Sequence, residues 1–384
     1  MTVAPTQSAR PRNGVDTSGA TAVAPSHDAV RPGLVLTIIL AAQLMAILDA
    51  NIVNVAAATI RADLHTGGAG LQLVLAGYTI AYAVLLITGS RIGAMIGPRR
   101  AFLGGLLAFT AASLACAVAA STAELIAFRF LQGAGAALLI PQVFSLIQRH
   151  FSGAARARAL GHFAAVVAVG VVIGQVLGGV LVDANLWGIG WRAVFMINVP
   201  VGLIVLALAA RLLPRDSGTG ARLDPAGLVT LAASLLAFVV PLVFGHEEHW
   251  APWIWAVLAG SVVMFGLFVA VQRRSAAPLM PRHLFGVPGL VPAMVAIFLI
   301  ISSYGGYLFT VALHLQSGLG FSPLRAGVTF APMAICFGAS SLNWRRVPDR
   351  WHQTMIVTGI LVAAASIALV ALSLHGGAAP GALF

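Results

Sequence analysis

Apolar residues run along this chain in long stretches broken by short polar joints. Stretches of the roughly 20 residues needed to cross about 30 Å of hydrocarbon fall near 34–55, 70–89, 101–120, 124–147, 159–182, 194–213, 226–244, 252–271, 289–313, 325–342 and 354–375. The spacing predicts an all-α polytopic membrane protein with about eleven transmembrane helices. Met1 to Pro32 is polar, without periodicity, and reads as a disordered tail. A cleaved secretory signal is not expected, because the first apolar run begins only near Gly33 and is long enough to span.

The polar joints orient the chain. Short cytoplasmic loops carry an excess of positive charge, and here all 22 basic residues are Arg. Sets of three (Arg10, Arg12, Arg31; Arg91, Arg99, Arg100; Arg149, Arg156, Arg158; Arg211, Arg215, Arg222; Arg273, Arg274, Arg282; Arg345, Arg346, Arg350) alternate with joints holding Arg61, Arg192 or Arg325 alone, or none. Eighteen arginines thus fall on one side and three on the other, with Arg129 inside a helix. The alternation supports the helix count and predicts a cytoplasmic N-terminus in a multi-pass protein of the cell's inner membrane.

Composition narrows the classes. With 59% hydrophobic and 9% charged residues and a mean hydropathy of +0.96, no water-soluble fold of this length could bury its apolar side chains. The net charge of +11 raises the question of nucleic acid, but a nucleic-acid footprint gathers charge on one face instead of alternating between loops. No nucleic-acid partner is expected; the lipid bilayer is. Cys116 and Cys336 lie in separate apolar stretches, which argues against a disulfide or metal framework. Gly245–Trp250 reads GHEEHW; a His/Glu cluster can bind metal, yet four candidate ligands in consecutive positions cannot easily wrap one ion, and a solvated outer loop is the expectation.

An ionisable group inside the membrane is a functional hypothesis by default. Asp49 alone among the acids, and Arg129 alone among the arginines, falls well inside a helix. Asp49 lies two turns before the outer end of the first helix and Arg129 about one and a half turns after the outer start of the fourth, so their depths agree. Pairing offsets much of the burial cost. A cation favours the ionised acid and desolvation the neutral one, so an element that makes or breaks the pair would switch between them. That is a proton-coupling site; a static bridge between helices one and four is the alternative. Gln132 shares the face of Arg129, and Gln175 and His314 are further polar groups at membrane depth that could line a cavity. Gly170, Gly174 and Gly178 recur every four residues and let another helix approach closely, for sliding or for plain packing.

Six segments resemble the fourteen-helix drug/proton antiporter group of the major facilitator superfamily: LDANIVNV at Leu48–Val55, GSRIGAMIGPRR at Gly89–Arg100, FRFLQGAG at Phe128–Gly135, GVVIGQVLGG at Gly170–Gly179, WRAVFMINVPVG at Trp191–Gly202 and the stretch Leu313–Gly327. They stand in the expected order and cover the chain from about residue 34. The resemblance implies two helical bundles that rock about a central cavity, with solute export driven by inward proton flow and no cofactor beyond the proton motive force. It implies a six-helix bundle at 34–213, a linking helix pair at 214–287 and a second bundle, here about three helices, at 288–384. Asp49 and Arg129 fall on the family's first-helix acid and fourth-helix Arg. Gly89, Arg91, Gly93, Gly97, Arg99 and Arg100 fall on its gating loop, and Gly170, Gly174, Gly178 and Gly179 on its fifth-helix packing motif. The departures are Ala94, where the family has Asp, so that the charge network latching the inward gate is incomplete; Gln175, where it has Pro; and a helix count of about eleven at Phe384. A fragment, completion by a second polypeptide, or a degenerate helix pattern would each explain the last.

The expectation is a secondary transporter exporting small hydrophobic or cationic compounds, of multidrug type. The alternatives are an exporter of one metabolite or antibiotic, and a truncated, non-transporting membrane protein. No nucleotide-binding loop and no catalytic cluster suggests an enzyme.

Overall fold

The computed structural model describes residues 32–185, 188–220, 224–245, 248–275, 278–279, 286–321, 325, 328–343 and 346–375. The tail at 1–31, Arg222, His246, Glu247, Arg282 and Arg345 therefore lie outside the described residues. In chain order the helices are α1 (Pro32–Val55), α2 (Ala57–Asp63), α3 (Gly68–Ile96), α4 (Pro98–Ala117), α5 (Thr122–His150) and α6 (Gly153–Ala184). A 3₁₀ turn at Gly190–Arg192 leads into α7 (Ala193–Met196) and α8 (Asn198–Leu212). Then follow α9 (Pro225–Phe244), α10 (Pro252–Arg274), α11 (Leu290–Leu313), a π-helical turn at His314–Gly318, α12 (Ala331–Asn343) and α13 (His352–His375).

Local chemistry sets the starts. Proline at the first turn loses no helical hydrogen bond, and Pro98, Pro225 and Pro252 open α4, α9 and α10. Ser121 caps α5 by accepting from the Glu124 amide (3.3 Å), while the Glu124 carboxylate reaches back to the Ala120 amide (2.9 Å), a capping box in which two otherwise orphaned donors are satisfied.

Ten helical spans among the described residues are long and apolar enough to cross a membrane. The eleventh, expected over 325–342, is described as α12, whose 13 residues rise only about 20 Å. The sixth run is also less regular than expected. It breaks at Ile197, because Pro200 cannot donate to the Met196 carbonyl and its ring crowds that turn. In contrast, α3, α5 and α6 outrun the hydrocarbon, and their extra turns carry Arg91, Arg149, Arg156 and Arg158 at the Arg-rich end.

Helix α5 is sandwiched between α3 and α4; α1 packs on α6 and α8, α9 pairs with α10 and lies on α3, and α12 lies on α6. Two apolar clusters stack along the bundle. One, toward the Arg-rich end, includes Ile39, Phe102, Leu106, Leu139 and Leu146; the other, toward the far end, includes Ile52, Val74, Leu125, Trp191 and Phe195. Asp49 lies on α1 between residues of the two, Ala46 and Ile52.

Candidate functional site

At that junction a polar network closes inside the apolar core. The Arg129 Nη1 donates to Asp49 Oδ2 at 2.6 Å, both side chains wholly buried. The second carboxylate oxygen, Oδ1, accepts from Gln132 Nε2 (2.8 Å) and from Asn198 Nδ2 (2.7 Å). Gln132 also donates to Ser113 Oγ (2.7 Å), and its Oε1 accepts from Arg129 Nη1 (2.6 Å). Arg129 Nε donates to the Val74 carbonyl (3.2 Å). The guanidinium lies 4.8 Å from the Tyr78 ring centre and 5.7 Å from that of Phe195, contacts that stabilise a desolvated cation. Tyr78 in turn donates to the Ala46 carbonyl (3.2 Å).

Five membrane-spanning segments thus converge on one carboxylate: α1 supplies it, α3 and α5 hold its counter-ion, α4 holds Gln132, and the start of α8 brings Asn198. A buried pair is most tolerable when its remaining lone pairs and protons are satisfied; here three donors meet Asp49, while Arg129 Nη2 is enclosed without a hydrogen-bond partner. Any proton arriving at this carboxylate competes with Arg129, Gln132 and Asn198 for the same lone pairs. Since Asp49, Arg129 and Gln132 have 0% exposure, a proton reaches them only after helices move.

The sequence-derived pair is therefore brought together, with Gln132 bonded to it and enclosed instead of lining an open cavity. Gln175 and His314 stand elsewhere. Gln175 is half-buried on α6, and His314 begins the π-helical turn with its Nε2 enclosed and without a hydrogen-bond partner. Asn198 and Ser113 escaped the sequence reading. The available signal was a lone amide or hydroxyl in an apolar run, for Asn198 two residues before Pro200.

The glycines have identifiable neighbours. Gly170 lies against Leu44 and Ile47, Gly174 against Leu48 and Asn51, and Gly178 against Ile52, so the stripe is where α6 meets α1; Gly179 is buried beside it. On α3, Gly89 lets the backbone of α5 at Ala137 approach, and Gly93 leaves room for the Gln142 carboxamide, which donates to the Gly89 carbonyl (3.0 Å). Arg91 donates to the Pro278 carbonyl (2.6 Å), Arg99 engages Asp216, and Arg100 is exposed. Gly97 has φ +96°, a conformation glycine adopts freely.

Toward the far end, Val172 of α6, Tyr307 and Val311 of α11, Leu315, Phe321, Phe330 and Met333 of α12 form a third apolar cluster. Nearer the Arg-rich end, α1 and α6 border an open apolar groove lined by Leu40, Leu44, His162, Ala165, Val166 and Val169. At the far surface, Asp63 accepts from Trp191 Nε1 (2.9 Å) and Arg192 Nη1 (2.7 Å), bonds that hold its carboxyl below the usual aspartate range. Glu248 and His249 of the GHEEHW loop are exposed.

Comparison with known proteins is consistent with this geometry. The profile of the Major Facilitator Superfamily matches residues 39–383. The chain is 38% identical over 338 residues to the probable actinorhodin transporter of Streptomyces coelicolor, an alignment covering 86% of this chain and 58% of that protein. It is 40% identical over 329 residues to the cephamycin export protein CmcT of Amycolatopsis lactamdurans, covering 84% and 66%. The chain thus spans between about half and two thirds of the length of these curated relatives. Among solved structures it is similar in fold to the proton:xylose symporter XylE, with a TM-score of 0.55 and 13% identity over 82% of this chain and 69% of that one.

Proposed function

This chain belongs to the Major Facilitator Superfamily, and on that premise we propose that it is a proton-coupled exporter of small hydrophobic or cationic compounds, working by alternating access in the cell's inner membrane. The Arg-rich end is the cytoplasmic one. The six spans of 34–213 form one bundle, the helices of 214–287 link, and those of 288–384 belong to the second bundle.

The observation that carries the reading is the Asp49–Arg129 pair at 2.6 Å, the two side chains wholly buried and tied to three further spans. A bridge needed only for packing is often replaceable by apolar residues without loss. A carboxylate whose protonation releases a cation and two amides from other helices converts a proton into a change of helix packing. The far-end cluster, in which α6 meets the helices beyond 288, fits a conformation closed outward. A second reading, export of one antibiotic or metabolite, is favoured by the relatives named for actinorhodin and cephamycin.

The test uses inside-out membrane vesicles with an acidified lumen, to which ethidium and a panel of antibiotics are added. Substrate-dependent lumen alkalinisation that is lost in Asp49→Asn supports antiport through this site. Alkalinisation that persists in a correctly inserted variant removes Asp49 from the coupling role. A response confined to one antibiotic class selects the second reading.

A further inference from the structure

We propose that Asp216, in the segment after α8, supplies the carboxylate that position 94 lacks and acts as a positioning residue for the α3–α4 loop; the proposal rests on the export reading for its transport arm alone. Helix α3 ends at Ile96 and α4 begins at Pro98, with Gly97 between them. The first amides of a helix have no partner within it, and the Arg99 amide meets both Asp216 carboxylate oxygens at 3.1 Å. A side chain at Gly97 would stand 2.7 Å from Asp216 Oδ1, so the bare glycine is what admits the acid. An anion at a helix N-terminus is also favoured by the aligned peptide dipoles.

The rest of the segment is fastened to the same loop. The Thr219 amide and hydroxyl both donate to the Ala94 carbonyl (2.7 and 3.1 Å). Gly218 lies so close to the Met95 carbonyl that a Cβ would not fit. Arg149 donates to the Ser217 carbonyl (3.2 Å) from the end of α5. Four successive residues, 216 to 219, are therefore docked on the loop. Position 94 is on the last turn of α3, against this strap, and it holds alanine where the resemblance places an acid.

At the same Arg-rich end, the start of α9 and the exit from α10 are held likewise. Arg91 donates to the Pro278 and Leu279 carbonyls, the Leu279 amide donates to Gln272 Oε1 (2.6 Å), and Gln272 donates to Asp224 (2.8 Å). Burial opposes ionisation of Asp224, but the Gly227 amide, Ser275, Gln272 and the charge of Arg91 together hold its carboxyl below the usual range. Helix α3, through Arg91, thus holds the segment leaving α10, while the α3–α4 joint holds the segment leading into α9, where Asp216 is the charged contact.

The experiment compares the full chain with Asp216→Ala, Asp216→Asn and the double variant Asp216→Ala/Ala94→Asp. Proton-driven ethidium movement in inside-out vesicles and amide exchange at Arg99 are measured on each. Loss of the cap is expected to speed Arg99 exchange about fivefold and to lower the maximal ethidium rate by a similar factor. KM is expected to stay unchanged, since the loop is remote from the buried pair. Restoring a carboxylate at 94 returns both readouts toward wild type, and the isosteric Asn variant falls between. Unchanged exchange in Asp216→Ala, or a loss that Ala94→Asp does not repair, overturns the proposal. If wild type moves no ethidium, the exchange arm alone decides: rescue there supports Asp216 while the export reading fails.

Discussion

Asp49 and Arg129 are expensive residues to hold in the core, and the way their cost is offset predicts how variants behave. Removing one member of a buried pair leaves the other charge uncompensated, at about 3–5 kcal/mol, whereas neutralising both is often mild. Asp49→Asn alone is therefore expected to lower thermal stability sharply. Asp49→Asn/Arg129→Gln should recover most of that loss, because the amides can still bond to Gln132, Asn198 and Val74. Coupling should stay lost in both. Thermal unfolding in detergent, run beside the vesicle assay, separates a folding defect from a coupling defect, and a double variant no more stable than the single one would contradict this account of the network.

Among the elements, α3, α5 and α6 are shaped by what their glycines meet. A Cβ at Gly89 would run into the Ala137 carbonyl, which is backbone and cannot step aside. At Gly174 it would stand 3.1 Å from the Leu48 carbonyl, and at Gly170 it would meet side-chain atoms of Ile47 and Leu44 at 3.0 and 3.1 Å but no backbone. At Gly104 the nearest atom is Leu138 Cδ2 at 3.9 Å. Substitution by alanine should therefore destabilise in the order Gly89, Gly174, Gly170, with Gly104→Ala neutral or stabilising by up to about 1 kcal/mol from helix propensity. Melting temperatures of the four single variants check the order; equal losses at Gly89 and Gly104 would show that helix contacts are looser than described. The break between α7 and α8 is the complementary case, where Pro200 spoils the helix and Asn198, at the start of α8, reaches Asp49.

For the whole molecule, the hold of α3 and the α3–α4 joint on the linking pair and its flanking segments makes a prediction about motion. Spin labels at the exposed Arg100 and Arg274, at the start of α4 and the end of α10, should keep their separation when an inward proton gradient is imposed. Labels at Arg158 on α6 and Asn343 on α12 should change theirs, since bundles that rock against each other must separate at one end. Pulsed electron-spin distance measurements decide it. A change at the first pair would mean that α9 and α10 move independently of the first bundle.

The sequence alone determined the helical class, nearly all the spans and the side on which the arginines gather, because hydrocarbon demands long apolar runs and leaves charges only at their ends. It also exposed Asp49 and Arg129, the two charges that break this rule. Depth matched them, since a helix rises steadily per residue and position along it is legible from the chain. What depth does not give is azimuth. Which faces of α4 and α8 turn toward Asp49, and hence that Ser113 and Asn198 complete its shell, depends on helix rotation set by packing. The same holds for the α3–α4 joint: the sequence showed no acid at position 94, and only the docked strap, brought from more than a hundred residues away, set Asp216 on the Arg99 amide and Thr219 on the Ala94 carbonyl. Long-range contacts are decided by how closely helices can approach, and no local pattern along one chain encodes that.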